Sequence, residues 1–160
     1  MKDLPLFNVQ LRLNGSNHND VVIRLGDREV VGDSYYFSLD NAYRPDDQSD
    51  EKVQELFARL LASCAAKVEN LEEGESAYLP FDFQDEWLGC VRCLRQGGQF
   101  SLSLGELDEN GYAVFPSEPA EVFSSACAFR PTGDDIQVQR DAFLSRLSSL
   151  AMSAAAQVRA

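Results

Sequence analysis

The stretch DEKVQELFARLLASCAAKVENL, residues 50–71, decides the fold. Its apolar residues recur at spacings of three and four, which places them on one face of an α-helix. This apolar stripe consists of Val53, Leu56, Phe57, Leu60, Leu61, Cys64, Val68 and Leu71. Ser49 or Asp50 can cap the start of the helix, and Gly74 supplies a stop. The sequence therefore predicts a long amphipathic helix over residues 50–72 with a charged face in water.

The segment before this helix is typical of antiparallel β-structure. Residues 5–13 alternate between apolar and polar side chains, residues 14–20 are almost all turn formers, and the alternation resumes over residues 21–25. A second tight turn at Gly26 separates this strand from the next apolar segment, and SYYFSL at residues 34–39 predicts one strand more. We expect an antiparallel meander.

A second β block and a closing helix follow. The predicted strands cover residues 77–83, 87–94, 100–104 and 112–115. Alternation does not resolve residues 122–138, whereas the apolar spacing over residues 140–158 predicts an amphipathic helix. We predict one α+β domain over residues 1–160: an antiparallel β-sheet of about six to seven strands with two amphipathic helices packed on one face, in the order β-meander, helix, β-meander, helix.

The composition is strongly acidic. The 160 residues carry a formal net charge of −12, and residues 46–75 and 76–121 contribute −6 each. A field of this sign repels phosphate backbones and anionic lipid headgroups, so we expect no nucleic-acid partner and no membrane partner. The first residues lack the unbroken apolar run of an export signal, and no segment reaches the length of a membrane span. The expected location is the cytoplasm.

Four cysteines, Cys64, Cys90, Cys93 and Cys127, are scattered through apolar patterns. Cys90 and Cys93 have the spacing of a redox or zinc motif, but they fall in an alternating segment, where residues three apart point to opposite faces of a strand. The separations from Cys64 and Cys127 match no compact zinc motif. We expect reduced thiols packed in the core and no metal.

Other motifs that could support catalysis are incomplete. His18 is the only histidine, and it lies among turn formers with no nucleophile motif near it. Residues 106–111 resemble the start of a calcium loop, but Ser117 stands where that loop needs a glutamate. Gly97 and Gly98 lie in a hairpin turn without the lysine of a phosphate loop. The sequence predicts no catalytic residue, no metal site and no cofactor.

Aromatic residues beside carboxylates form the remaining candidate site. The segment DFQDEW ends with a tryptophan after three acidic residues, and SYYFSLDNAYRPDD has tyrosines before two aspartates. Aromatic anchors bordered by charge suit a protein interface. The predicted partner-binding residues are Tyr36, Tyr43, Asp46, Asp47, Asp82, Asp85, Glu86 and Trp87.

These features favour a non-enzymatic acidic binding protein that occludes or holds a basic protein partner, as an immunity protein or an inhibitor does. One alternative is a metal-assisted enzyme that uses the carboxylates of Asp82, Asp85 and Glu86. A further alternative is a secretion chaperone, because the acidic, dimeric type III chaperones are similar in size and in mixed α/β character. That alternative implies a homodimer, although type III chaperones usually begin with a helix and residues 5–13 alternate as a strand.

Overall fold

Two antiparallel sheets form the framework of the protein. The structure, a computed structural model, describes residues 6–159, over which the chain forms eight strands, four α-helices and one short 3-10 helix. The strands are β1 Phe7–Leu11, β2 Val21–Leu25, β3 Arg28–Gly32, β4 Ser76–Phe83, β5 Leu88–Gln96, β6 Gln99–Leu107, β7 Phe129–Pro131 and β8 Ile136–Gln139. The helices are α1 Tyr35–Ser38, α2 Asp50–Glu69, the 3-10 helix Gly111–Ala113, α3 Ala120–Phe123 and α4 Arg140–Arg159. The predicted α+β class and the order of strands and helices are confirmed.

The first sheet has the strand order β1-β2-β3. Val9 of β1 faces Ile23 of β2, which faces Val30 of β3. Val9 and Ile23 are buried while Gln10 is exposed, which is the alternation that the sequence showed. Residue 5 of the predicted first strand lies outside the described residues.

The second sheet has the order β4-β5-β6-β7, and β8 also pairs with β6. Strands β7 and β8 lie along different parts of β6, because β7 pairs with residues 105–107 and β8 with residues 99–102. Residues 122–138, which alternation did not resolve, therefore contain the end of α3 and two short strands. Strands of three and four residues are too short to give a periodic signal.

The strands form two sheets instead of the single sheet predicted, and a side chain joins them. Asp82 of β4 is 1% exposed, and its Oδ1 accepts the backbone N–H of Asp33 at 3.0 Å. The carboxylate lies so close to Gly32 that a Cβ there would be 2.4 Å from the Asp82 Cγ. Strand β3 ends at this contact, so β3 and β4 meet through a buried carboxylate and not through a shared ladder.

Helices α2 and α4 pack against each other and against the sheets. Helix α2 contacts β4, and α4 contacts β1, β6 and β8. The Ser49 side chain accepts the Lys52 N–H at 3.2 Å, which caps α2 as predicted. Every residue of the predicted apolar stripe of α2 is buried. The two predicted amphipathic helices are therefore confirmed.

Two predicted strands are wrong. Residues 34–39 contain α1, because the backbone N–H and hydroxyl of buried Ser34 donate to Asp20 and hold the chain in a turn that buries Phe37 and leaves Tyr35 outside. Residues 112 and 113 belong to the 3-10 helix and residues 114 and 115 follow it, so this segment does not join a sheet. Gly111 donates its N–H to the Gln84 carbonyl at 2.8 Å, so this segment crosses the end of β4.

The cysteines follow the prediction in part. Cys64, Cys90 and Cys93 are buried, and burial raises the pKa of Cys90 and Cys93 to about 12, which keeps these thiols protonated. Cys127 is exposed, contrary to the expectation that it packs in the core. It lies in the loop between α3 and β7, where its N–H donates to the Ser125 hydroxyl.

Candidate functional site

A cleft of about 370 Å³ lies where the loops of the two sheets meet. We call it the recess. Its walls come from the β1–β2 loop, the segment between β3 and α1, helix α1 and the β4–β5 turn. The lining residues are His18, Asp33, Tyr35, Tyr36, Phe83, Gln84, Asp85, Glu86 and Trp87. Three of these are carboxylates, and none is a lysine or an arginine.

The β4–β5 turn presents the acidic side of the recess. Gln84 N–H donates to the Trp87 carbonyl at 3.0 Å, which closes the turn and places Asp85 and Glu86 at its tip. Both acids are exposed, whereas Trp87 is half-buried and also borders a second cavity of about 200 Å³. The tryptophan is therefore held by the fold while the acids project into water.

Two tyrosines of α1 form the opposite wall. The Tyr36 hydroxyl donates a hydrogen bond to Asp85, and this bond, with burial, raises the pKa of Tyr36 to about 12. The Tyr35 ring meets the Tyr36 ring edge to face, with centroids 5.3 Å apart, and Tyr35 is 40% exposed. The Tyr112 hydroxyl lies near enough to add to the pKa shift of Tyr36, and Tyr112 is 61% exposed. Aromatic surface thus extends beyond the recess.

A chain of polar contacts lies behind these rings. His18 stacks on Tyr35 at 5.5 Å, and its Nδ1 is 3.4 Å from Asp33 Oδ2. The Gln84 amide donates to both Asp33 and Asp82, at 3.0 and 2.6 Å. This network fixes the floor of the recess by joining the ends of β3 and β4.

The two carboxylates in this network have opposite pKa shifts. Partial burial opposes ionisation of Asp33, but hydrogen bonds from the Asn19 N–H, Gln84 and His18 outweigh it and lower the pKa of Asp33. Burial raises the pKa of Asp82 to about 6, although Gln84 and the Asp33 N–H counteract it. Asp33 is therefore ionised at neutral pH, and Asp82 ionises only near pH 6.

The structure brings part of the predicted binding set together. Tyr36, Asp85, Glu86 and Trp87 all line the recess. Asp82 lies beneath it, is almost fully buried and shows no surface to a partner. The first four residues are therefore accessible from the recess, whereas Asp82 is not.

The other predicted residues, Tyr43, Asp46 and Asp47, do not line the recess. Tyr43 donates to Glu55 and borders a separate cavity near the end of α4. Asp47 pairs with Arg44 at 2.8 Å, and Asp46 is exposed. Tyr43 and Asp47 thus belong to a separate cluster before and within α2, in which Arg44 already pairs with Asp47, Glu51 and Glu55.

Sequence reasoning missed several lining residues: His18, Asp33, Tyr35 and Gln84. His18 is far from the aromatic segments in sequence, and the pairing of the strands brings it there, whereas Asp33 directly precedes one of these segments. The adjacent pair Tyr35 and Tyr36 could have indicated an aromatic surface. Successive residues of a strand point to opposite faces, so two neighbouring tyrosines cannot both be buried on one face.

Within residues 6–159 no group of three or more His, Cys, Asp or Glu side chains is placed to hold a metal ion. Over the same residues, no helix combines the length and apolar character needed to cross a membrane. The recess offers carboxylate oxygens and aromatic faces, which are groups that recognise a cation.

No family model, no curated protein and no solved structure matches this chain.

Proposed function

We propose that the protein is a non-enzymatic, cytoplasmic, acidic binding protein that holds or occludes a basic protein partner through the recess, in the manner of an immunity protein or an inhibitor. The observation that carries the proposal is the composition of the recess, which combines three carboxylates and four aromatic side chains with no lysine or arginine. Such a surface attracts cationic groups and offers them rings against which to pack.

The burial pattern of the recess supports the same proposal. Trp87 and Tyr36 are half-buried, so a partner that contacts them does not have to restrict freely moving side chains. Asp85 and Glu86 are exposed and form no ion pair within the described residues, so their charge is available to an approaching partner. Aromatic anchors at the centre with charges at the rim are the usual anatomy of a protein interface.

The overall charge supports a basic partner over an acidic one. The net charge of −12 accelerates the encounter with a positive surface and slows the encounter with a negative one. The arginine-filled cluster around Tyr43 adds less, because Arg44 contacts Asp47, Glu51 and Glu55 and screens them.

A capture experiment with matched variants tests this proposal. The wild-type chain and a triple variant, Asp85→Asn with Glu86→Gln and Trp87→Ala, are immobilised and exposed to extract from the cells that produce the protein. We expect a basic protein that binds the wild-type chain stoichiometrically and does not bind the triple variant. The matched control, Asp27→Asn, removes an exposed charge outside the recess and should retain the partner.

The proposal is wrong if the captured partner is acidic, or if the triple variant binds it as well as the wild-type chain does. Circular dichroism of the triple variant checks that the fold is kept after removal of the half-buried Trp87.

A further inference from the structure

Within residues 6–159, two tyrosine hydroxyls donate a hydrogen bond to a carboxylate. Tyr43 donates to Glu55 in the cluster before α2, and Tyr36 donates to Asp85 in the recess. In both pairs the phenol ring and the carboxylate present a flat π surface and a negative charge side by side. The two pairs differ in what lies next to them.

Arginine side chains already contact the first pair, Tyr43 and Glu55. The guanidinium carbon of Arg59 lies 4.3 Å from the centre of the Tyr43 ring, and Arg44 Nη1 lies 3.2 Å from a Glu55 oxygen. The ring therefore carries a stacked cation, and the carboxylate carries an ion pair. Guanidinium groups suit both positions because they are planar and weakly hydrated, and they donate in a fork that matches a carboxylate.

The second pair has no such occupant. Within residues 6–159 no lysine or arginine forms an ion pair with Asp85 or Glu86, and the two arginines that lie over aromatic rings contact Tyr43 and Phe129. The neighbouring Tyr35 ring is already engaged, because His18 stacks on it with an interplanar angle of 16°. Tyr36 and Asp85 instead line an open cleft of about 370 Å³.

We propose that the recess receives the guanidinium group of an arginine side chain, which stacks on Tyr36 and pairs with Asp85. This inference rests on the proposed function and specifies the group by which the basic partner is held. Trp87 supplies a second apolar wall, and Glu86 adds a second carboxylate at the rim. Around Tyr43 and Glu55, Arg59 lies over the ring and Arg44 pairs with the carboxylate. In the recess a single arginine of the partner takes both of these roles.

The contacts between arginines and aromatic rings within the protein favour arginine over lysine as the side chain that the recess binds. Both cations that lie over rings in the described structure are arginines, Arg59 on Tyr43 and Arg92 on Phe129. A lysine ammonium is compact and strongly hydrated, so it loses more hydration on entering an aromatic cleft and cannot stack. The recess should therefore discriminate between the two basic side chains.

An NMR titration of the full chain with small compounds tests the assignment without a known partner. The compounds are Nα-acetyl-arginine amide, its lysine counterpart and its neutral citrulline counterpart, added at millimolar concentrations to 15N-labelled protein. We expect the arginine compound to give saturable shifts at Tyr36, Asp85 and Trp87. Its affinity should be about fivefold or more above that of the lysine compound, and the citrulline compound should give no saturable shift.

Variants identify the groups involved. Asp85→Asn should lower the affinity for the arginine compound by about tenfold, because a charge-assisted hydrogen bond is lost. Tyr36→Leu should reduce the preference for the arginine compound over the lysine compound. Asp27→Asn, the matched exposed control, should leave the affinity unchanged. Equal binding of the arginine and lysine compounds, shifts outside the recess, or the absence of saturable binding each overturns the assignment.

The titration and the capture experiment fail independently. If capture of a basic protein depends on Asp85, Glu86 and Trp87 but the arginine compound does not bind, the proposed function stands and the guanidinium assignment is wrong. If the arginine compound binds in the recess but no basic protein is captured, the assignment stands and the proposed function is wrong.

Discussion

The ammonium group of Lys52 lies inside the protein, surrounded by backbone oxygens. It donates to the carbonyls of Ser38, Asp40, Arg44 and Asp47 at 2.8 to 3.1 Å, and the residue has no exposed surface. Ser38 ends α1, and the other three residues lie between α1 and α2, in a segment that has no sheet ladder to satisfy its carbonyls. A lysine in the first turn of α2 therefore fastens the segment that follows the recess tyrosines onto the helix.

Replacing this lysine should be costly. Lys52→Met keeps most of the apolar stem but removes the ammonium donor from four carbonyls, of which that of Arg44 keeps the Asp47 N–H. We expect a loss of about 3 kcal/mol or more in the free energy of unfolding. Lys67→Met, in the last turn of the same helix, should cost under about 1 kcal/mol, the usual size of a charge effect at a helix end. Urea denaturation of both variants is the measurement, and equal losses would contradict the structural role of Lys52.

Asp82 should make the stability of the protein depend on pH. Its pKa in the folded state is raised to about 6, above its unfolded value of about 4, so the folded state holds more protons between these values. The contribution of Asp82 to stability is therefore fully present below about pH 4 and is lost as the pH rises through about 6. The two-unit shift corresponds to about 3 kcal/mol for this buried group.

A comparison with Asp82→Asn isolates that contribution. The asparagine keeps an oxygen that can accept from Asp33 and Gln84 but does not titrate. The stability of the variant relative to the wild-type chain should rise by up to about 3 kcal/mol between pH 4 and pH 7 in urea melts. A difference that stays constant over this range would mean that Asp82 does not titrate there in the folded protein.

At the scale of elements, α2 is the main organiser of the core. Leu60 is 1% exposed, so Leu60→Ala removes buried surface and leaves a cavity, which should lower the free energy of unfolding by about 2–5 kcal/mol. Gln54→Ala, at a half-buried position of the same helix with no side-chain hydrogen bond, should change it by less than about 0.5 kcal/mol. If denaturant melts put both variants close to the wild-type protein, the apolar stripe does not stabilise the fold.

Element length explains which parts of the fold could be predicted. Helix α2 repeats its apolar period over 20 residues, so the sequence alone identifies its buried face. Helix α1 has four residues, and SYYF fits a strand equally well by local pattern. Its helical turn is imposed by Asp20, which accepts from the N–H and hydroxyl of Ser34. No local rule can supply a contact made across 14 residues of chain.

The same reasoning applies to the recess. Asp85, Glu86 and Trp87 are adjacent in sequence and could be selected from composition alone. Tyr36 is 49 residues away from Asp85, and the contacts of Asp33 with Asp82 and Gln84 bring the ends of β3 and β4 together beneath them. The aromatic and acidic composition also ranks Asp46 and Asp47 with Asp85, although Arg44 lies only three residues before Asp47 and pairs with it in the structure.

At the scale of the whole molecule, charge and shape have separate roles in the proposed function. The net charge of −12 acts over about a Debye length and raises the rate of encounter with a basic partner. The recess acts only at contact, where aromatic surface and desolvated ion pairs slow release. Composition alone predicts the first effect, whereas the second depends on which side chains the fold brings together.

Binding kinetics should therefore separate these two roles once a basic partner has been captured. Reversal of charge by Asp85→Lys with Glu86→Lys should lower the association rate and flatten its dependence on salt. Trp87→Ala leaves the field intact and should mainly raise the dissociation rate, at a cost of about 2 kcal/mol or more for an anchoring aromatic. Stopped-flow or surface-based measurements at several salt concentrations give both rates.

The matched control is Asp27→Lys with Asp134→Lys, which changes the net charge equally at two exposed positions outside the recess. It should lower the association rate less than the Asp85 and Glu86 reversal does, because steering depends most on charges near the interface. Equal effects of the two reversals, together with an unchanged dissociation rate for Trp87→Ala, would show that the partner is attracted by the overall charge and does not dock in the recess.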